Sequence, residues 1–372
     1  METIPEISLI VPALNEAANL AALTARVDTA LAGRAYELLI VDDNSRDNTE
    51  AVCAELSIRF PLRLITRTIP KDGLSGAVLV GMREARGVTL VVMDADLQHP
   101  PEKLPELIAP IKQGAADFVI GSRYMKGGSI ETGWTIYRAI NSRIATLLAR
   151  PFAGKISDPM SGFFALRRDD FLRARHLTPL GYKIGLELVC KTRAKHVVEI
   201  PIHFAKRVAG ESKLSLKEQF RYLEHLSRLY DFTFPRLIPV LKFFFVMALG
   251  WAIGLSYFTL LPREWNVITA VLMSYCWVIV VTAVFHARYV RTQREFLTRP
   301  RPWWDFIVSS IAELSACAIA TAYLLHRTTI PAIEIAFIAF IAAIAARYVL
   351  RKELLLDIRG LRHEIRKDEM QP

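Results

Sequence analysis

Apolar positions along the chain follow two regimes, and the change comes near residue 236. Before it, short β-rich apolar runs at residues 7–11, 36–41, 62–66, 90–93 and 118–120 alternate with amphipathic stretches of helical length. That rhythm predicts βαβ units and an α/β fold with a mainly parallel, doubly wound sheet. After it, residues 243–261 and 266–285 are runs of about twenty residues without a formal charge, long enough to cross a hydrocarbon core of about 30 Å. A second pair, 306–325 and 330–346, brings the expected total to four spans.

The loops orient these spans. The connection 286–303 carries Arg288, Arg291, Arg294, Arg299 and Arg301 against one acid, Glu295, and the tail beyond Ala346 is again basic. The positive-inside rule puts both in the cytoplasm, and an even number of spans puts the front part there too. No basic n-region and apolar h-region open the chain, so no cleaved signal peptide is expected. Residues 214–234 alternate Lys217, Arg221 and Arg228 with Phe220, Leu223, Leu226, Leu229 and Tyr230 at helical spacing. Such a segment suits either an interfacial helix or a soluble helix packed on the front domain. The expected organisation is a cytoplasmic domain at 1–213 and interfacial amphipathic helices at 214–236. A four-helix transmembrane domain follows at 237–350, with helices near 240–261, 266–285, 305–325 and 330–347, then a basic cytoplasmic tail at 351–372.

Composition adds less. The 372 residues are 52% hydrophobic with a formal charge of +10, compatible with nucleic acid, anionic lipid or a phosphorylated substrate. The basic residues gather beside the apolar segments and are not interleaved with aromatics along one stripe in the front half, which points to membrane lipids and away from nucleic acid. Cys53, Cys190, Cys276 and Cys317 are widely spaced, suggesting neither a disulfide framework nor a zinc site. Glu313 falls inside an expected span; it is a functional candidate by position, and its plain reading is a protonated side chain bonded to a neighbouring helix.

In a doubly wound sheet ligands bind at the carboxyl ends of the strands. After the first strand stand Leu14, Asn15 and Glu16, and after the second Asp42, Asp43, Asn44 and Ser45. Asn15 and Ser45 suit helix caps, while Glu16, Asp42 and Asp43 together offer acceptors to a nucleoside. Asp94-Ala95-Asp96-Leu97-Gln98-His99 after the fourth strand is the most specific signal. Acids at i and i+2 on extended backbone point to one side and suit a hard divalent cation that also takes substrate phosphates. His99 reads as a metal ligand or, more simply, as a packed loop histidine.

These motifs, in this order over residues 5–215, resemble the family 2, GT-A-fold glycosyltransferases, specifically the dolichol-phosphate mannose synthases and their bacterial polyprenol-phosphate relatives. The back of the chain resembles the GtrA-like four-helix domain fused to some of them. The resemblance implies that Pro12, Leu14, Glu16, Val41 and Asp43 line the nucleoside pocket, with Ala95 close to the sugar nucleotide. It implies that Asp94, Asp96 and Gln98 hold Mg²⁺ or Mn²⁺, with Asp96 catalytic. Arg123 in Gly121-Ser122-Arg123-Tyr124 approaches the donor, and Arg207 and Lys213 belong to a basic loop over its diphosphate. Arg138 and Ser142, four residues apart on a helix expected over 134–150, receive the acceptor phosphate, with Lys183 of Gly181-Tyr182-Lys183 assisting; Asp158-Pro159-Met160-Ser161-Gly162 matches a segment on the acceptor side. The implied reaction is inverting transfer of mannose from GDP-mannose to polyprenyl or dolichyl phosphate. Leu14, where the family often has an aromatic residue, and Asn44, where it often has glycine, leave a UDP-sugar donor open. A non-catalytic lipid-sugar flippase or scaffold is the rival from another class, and the transmembrane domain leaves room for a homo-oligomer. A processive synthase is disfavoured, because Gln219-Phe220-Arg221-Tyr222 stands where Q-x-x-R-W is expected.

Overall fold

The computed structural model describes residues 4–131, 136–174, 177–178, 180–181, 183–205, 216–235, 237–285 and 302–355. The chain forms two compact units, Met1–Thr233 and Phe234–Pro372. In the first, strands β1 (Ile7–Ala13), β2 (Tyr36–Asp42), β3 (Leu62–Thr66), β4 (Thr89–Val92) and β5 (Phe118–Ser122) are joined by helices α1 (Ala17–Ala30), α2 (Thr49–Ser57), α3 (Gly73–Glu84) and α4 (Leu104–Lys112). The chain continues through β6 (Ser129–Ile130), α5 (Ile136–Ala153), β7 (Phe164–Arg167), α6 (Arg168–Arg173), α7 (Ile184–Lys191), β8 (Val197–Pro201), β9 (His203–Phe204) and α8 (Leu216–Thr233). The sheet has seven strands in the order β3-β2-β1-β4-β7-β5-β8, and β6 pairs with β9 in a small parallel ribbon.

The five expected strands are all present and parallel in their mutual pairings. What the pattern did not announce is β7, which slots antiparallel between β4 and β5, and β8 beyond it, parallel to β5. The strands read as unbroken apolar runs because both faces are covered. Leu9 and Val11 join one core with Leu20, Leu23, Leu107 and Ile108, while Ile10, between them, joins the other with Val78, Met82 and Phe164. Gly81 on α3 lets the helix lie against the sheet, since a Cβ there would come within 2.5 Å of Ile10.

Helix α8 belongs to the first unit. It buries Leu226 and Leu229 against Ala149 and Ala153 of α5 and Leu186 of α7. Phe220 and Leu223 remain exposed.

The second unit consists, among the described residues, of α9 (Ile238–Leu260), α10 (Val267–Phe285), α11 (Pro302–Arg327) and α12 (Ala332–Leu355). All four are long and apolar enough to span a bilayer. Val271, Tyr275 and Val278 of α10 pack with Cys317 of α11 and Ala336, Ala339, Phe340 and Ala343 of α12. The basic connection 286–301 and the tail beyond residue 355, on which the orientation argument rested, lie outside the described residues.

One buried polar cluster ties this unit together. Glu313, fully buried, is bonded to a neighbouring helix, as its plain reading has it. Its partner is Arg347 of α12, with Nε 2.8 Å from Oε1 and Nη1 donating to Oε2 at 2.9 Å. Arg347 also donates to Thr282 Oγ1 at 3.0 Å, and the Tyr275 hydroxyl donates to Glu313 at 3.2 Å. Arg347 falls at the end of the expected fourth helix, 330–347, where the basic residues begin. It lies inside the packed helices at 0% exposure, where only an acid on the facing helix makes its charge tolerable.

Removing one partner strands the other's charge in an apolar bundle. Glu313→Leu and Arg347→Met are each expected to destabilise the protein by roughly 3–5 kcal/mol, and the double variant to recover most of that loss. Thermal midpoints of the three proteins in one detergent measure this; a double variant as unstable as the sum of the singles would contradict it.

Candidate active site

The carboxyl ends of β1 and β2 carry two loops laced to each other. Asn15 N–H donates to Ser45 Oγ at 2.8 Å, Arg46 N–H to Asn15 Oδ1 at 2.9 Å, and Ala17 N–H to Asp47 Oδ2 at 3.0 Å. The side chain meeting the first N–H of α1 is thus Asp47 from the neighbouring loop, while Asn15, a candidate cap, serves the cross-link. Asn15 and Asn44 have φ of 59° and 64°. Asparagine tolerates this left-handed region better than most residues, which accounts for Asn44 at a position the family often gives to glycine.

Of the three acids placed here, each has a different setting. Ser45 bonds the buried Asp42 through its hydroxyl and its backbone N–H. Glu16 accepts from Asn19 at 2.7 Å. Asp43 pairs with Arg67 Nη1 at 2.5 Å, with both side chains nearly buried. Arg67 also donates to the carbonyls of Lys71 and Gly73, and Gly76 leaves room for its guanidinium, since a Cβ there would lie 2.9 Å from Nη2. Pro12 and Val41 are buried and Leu14 is exposed at the strand end.

The acidic motif after β4 is a turn and not the extended segment expected. Leu97 at φ 60° reverses the chain, a conformation costing a non-glycine residue about 1–2 kcal/mol. Gln98 N–H donates to Asp96 Oδ1 at 3.2 Å. The Gln98 side chain donates to Ala205 O at 3.1 Å, and Ala205 N–H returns to Gln98 O at 3.0 Å. Asp96 is buried and Ala95 with it; Asp94 is one-third exposed. Gly162 keeps the space beside Asp94 open, since a Cβ there would lie 3.2 Å from Oδ2.

The donor set fits a hard divalent cation: two carboxylates and an amide within five residues, with a glycine clearing the space beside one of them. Among the described residues no group of three or more His, Cys, Asp or Glu side chains could hold a metal. A cation here would therefore complete its shell from elsewhere, as magnesium does with phosphates and water. His99 is the packed histidine. It stacks on Phe163 at 5.3 Å and meets the edge of Phe204 at 5.2 Å, and Asp94 N–H points to its Nδ1 at 3.4 Å.

The turn ahead of β7 brings a residue that spacing alone did not single out for a role. Asp158, fully buried, receives Arg123 Nε at 2.7 Å, Arg123 Nη2 at 2.8 Å and the Arg123 backbone N–H at 3.0 Å. Glu199 on β8 holds the turn by accepting the N–H groups of Ser157 and Asp158 at 2.9 and 3.0 Å. Arg123 also lies over the Phe204 ring at 5.1 Å. Burial would lower its basicity, but the Asp158 fork outweighs that and raises it. Lys183, at the N-cap of α7, has its Nζ 3.5 Å from Met160 O. Burial first and Arg123 second push it down to about 7, against the pull of Asp158 and Asp94.

The structure thus gathers Asp94, Asp96, Gln98, Arg123 and Lys183 round Asp158 at one end of the sheet, with Asp43 and Glu16 on the adjoining β1 and β2 loops. Arg138 and Ser142 lie on α5, with side chains outside the described residues, and Arg207, Lys213 and Tyr182 lie outside them altogether. Asp158, Glu199 and Arg67 are the residues that sequence reasoning passed over. Their partners are between 24 and 42 positions away, and the one signal was the acid in the Asp158-Pro159-Met160 segment.

The acidic turn lies at the carboxyl ends of a mostly parallel sheet, where folds of this kind bind their ligands. Residues 8–174 match glycosyl transferase family 2. Dolichol-phosphate mannosyltransferase of Pyrococcus furiosus is 43% identical over 72% of this chain and 77% of its own length. The Saccharomyces cerevisiae protein of the same name is 42% identical over 62% of this chain and 88% of its own length. The chain belongs to the glycosyl transferase family 2 enzymes, within the dolichol-phosphate mannosyltransferase group, and it is a glycosyltransferase; the non-catalytic scaffold reading falls away. Among solved structures, glucosyl-3-phosphoglycerate synthase from Mycobacterium tuberculosis overlaps at a TM-score of 0.47 and 20% identity, covering 61% of this chain and 79% of that one.

Burial pushes the His99 imidazole down to about 4 from 6.5. Between those values the unfolded chain binds a proton that the folded one does not. The stability held by a neutral His99 is therefore complete above pH 6.5 and falls with pH towards 4, by up to about 1.4 kcal/mol per unit. His99→Phe removes this dependence, so the difference in thermal midpoint between wild type and variant should be smaller at pH 4.5 than at pH 7. A constant difference would mean that His99 titrates normally in the fold.

Proposed function

We propose that the protein transfers a single mannose from GDP-mannose to a polyprenyl phosphate, with inversion at the anomeric carbon and with the help of a divalent cation. The observation that carries this reading is the Asp94–Gln98 turn tied to Ala205, next to the buried Asp158–Arg123 fork, in a chain sharing 43% identity with a dolichol-phosphate mannosyltransferase. Asp94, Asp96 and Gln98 would hold Mg²⁺ or Mn²⁺, which when bound neutralises the departing diphosphate. Asp43, oriented by Arg67, and Glu16 accept hydrogen bonds from the nucleoside, beside Pro12, Leu14 and Val41, while the Ala95 backbone passes close to the sugar nucleotide. Arg123, Arg207 and Lys213 complement the phosphates.

On the acceptor side, Arg138, Ser142 and Lys183 orient the lipid phosphate. A phosphate monoester loses its second proton at about pH 6, so its oxygen is a ready nucleophile and no base on the protein is needed. That oxygen bonds to the anomeric carbon as the bond from carbon to diphosphate breaks, and the electron pair leaves with the nucleoside diphosphate. Positioning and fixed charge supply most of the acceleration.

The catalytic unit faces the cytoplasm in this reading and rests on the bilayer. Helices α5 and α8 expose Ile144, Leu147, Phe220 and Leu223, accompanied by the exposed Arg143, Arg150 and Arg221, a combination suited to the headgroup boundary. A second reading keeps the lipid acceptor and takes a UDP-sugar; it is favoured only by Leu14, an aliphatic side chain exposed at the strand end.

Purified protein in detergent, given polyprenyl phosphate and Mg²⁺ or Mn²⁺ with GDP-mannose, UDP-glucose or UDP-N-acetylglucosamine, should place sugar in the lipid phase from GDP-mannose. The product should be β-linked. Chelation should abolish transfer, and Asp96→Ala should cost on the order of 10²-fold or more in rate. Transfer from a UDP-sugar alone would replace the mannose reading with the second one.

A further inference from the structure

Glu187 is a fully buried acid on α7 that touches none of the catalytic carboxylates. It stands one turn beyond Lys183, and its partners come from three parts of the first unit. Oε1 accepts the Thr178 N–H at 2.6 Å and Lys191 Nζ at 2.6 Å, and Oε2 lies 3.4 Å from His225 Nε2 on α8. Burial alone would raise its carboxyl, but His225 and Lys191 outweigh burial and hold it down to about 2, so it carries its charge.

Each partner leads towards the acceptor side. Thr178 lies between α6 and α7 in the segment that ends at Lys183, and that segment is also held where Ser75 N–H donates to Gly181 O at 3.3 Å. His225 belongs to α8, which grips α5 at two points: the Tyr222 hydroxyl donates to Ala145 O and the Tyr230 hydroxyl to Leu148 O, each at 2.8 Å. Arg138 and Ser142 are on that same α5. The rest of the junction is apolar, built from Ala149, Ala153, Leu186, Leu226 and Leu229. An ionised acid there is costly to keep unless its geometry is used.

We propose that Glu187 is a positioning residue for the acceptor phosphate: through His225 and α8 it fixes the spacing between Lys183 on α7 and Arg138 and Ser142 on α5. The inference rests on the reading that these three residues receive a lipid phosphate. One small anion can be met from two helices only if their separation is held, and a displacement of about 1 Å can cost on the order of 10²-fold.

The test compares Glu187→Gln, which keeps an oxygen for Thr178 and loses the charge, with Glu187→Leu, which loses both, after thermal midpoints have shown which variants fold. The KM for polyprenyl phosphate should rise about 3-fold in the first and about 10-fold in the second, while the KM for the nucleotide sugar stays within about 2-fold of wild type. Combined with Lys183→Met, Glu187→Gln should add less than about 2-fold, because both changes strike one contact. Donor and acceptor KM rising together, or effects that multiply in the double variant, would overturn the proposal. If Glu187→Leu does not fold, Glu187→Gln and His225→Asn carry the test, and an unchanged acceptor KM in both defeats it. If the wild type transfers no sugar from any donor, the functional reading fails separately. Titration of polyprenyl phosphate alone into wild type and Glu187→Gln then decides the point: weaker binding by the variant supports the positioning role and equal binding overturns it.

Discussion

A carboxylate with no access to water organises the centre of the catalytic unit. Arg123 meets Asp158 there through two side-chain nitrogens and its own backbone N–H, so the buried carboxyl oxygens are bonded. The arginine in turn is held over Phe204. From this pair the rest of the site follows: Phe204 also packs His99 beneath the Asp94–Gln98 turn, Ala205 next to it anchors Gln98, and Lys183 feels both members of the pair. The geometry depends on β7 running antiparallel between β4 and β5, which sets the Asp158 turn beside the ends of both.

Among the described residues the same arrangement is found at three places. Asp158 with Arg123, Glu187 with Lys191 and His225, and Glu313 with Arg347 are each an acid at 0% exposure facing at least one basic side chain from another turn or element. Desolvating two charges costs several kcal/mol each, and their attraction offsets this only when geometry is good and the remaining polar atoms are bonded. Such pairs are poor sources of stability and good sources of uniqueness, since few alternative packings satisfy them. In the first unit they lie at and behind the catalytic turn. In the second they fix three helices of an apolar bundle that otherwise has little to choose its register.

Electrostatics of the site are balanced for a charged visitor. Asp94 and Asp158 face Arg123 and Lys183, whose ammonium burial pushes down to about 7, with His99 kept neutral by burial. In the proposed reading a divalent cation would be attracted to this set and would offset the charge of the donor's phosphates. The strained Leu97 and the left-handed Asn15 and Asn44 sit at the same strand ends. Irregular backbone is concentrated where ligands are expected to approach, and the sheet beneath it is regular.

The order of residues determined the repeating units outright. Apolar runs bounded by helical stretches specified five parallel strands, and four long apolar stretches specified four apolar helices, because strand and span formation depend on local periodicity and length. The Asp94–Gln98 motif was legible for the same reason, its members being neighbours in the chain. Tertiary structure decided what required distant partners: β7 and β8, the turn in place of extended backbone at Asp94–Asp96, the pairing of Asp158 with Arg123 and of Asp43 with Arg67, and the burial of Arg347 against Glu313. A charge declares its type in sequence but not its solvation. Whether Glu187 or Arg347 meets water or a counter-ion is settled only when helices that are far apart in the chain pack together.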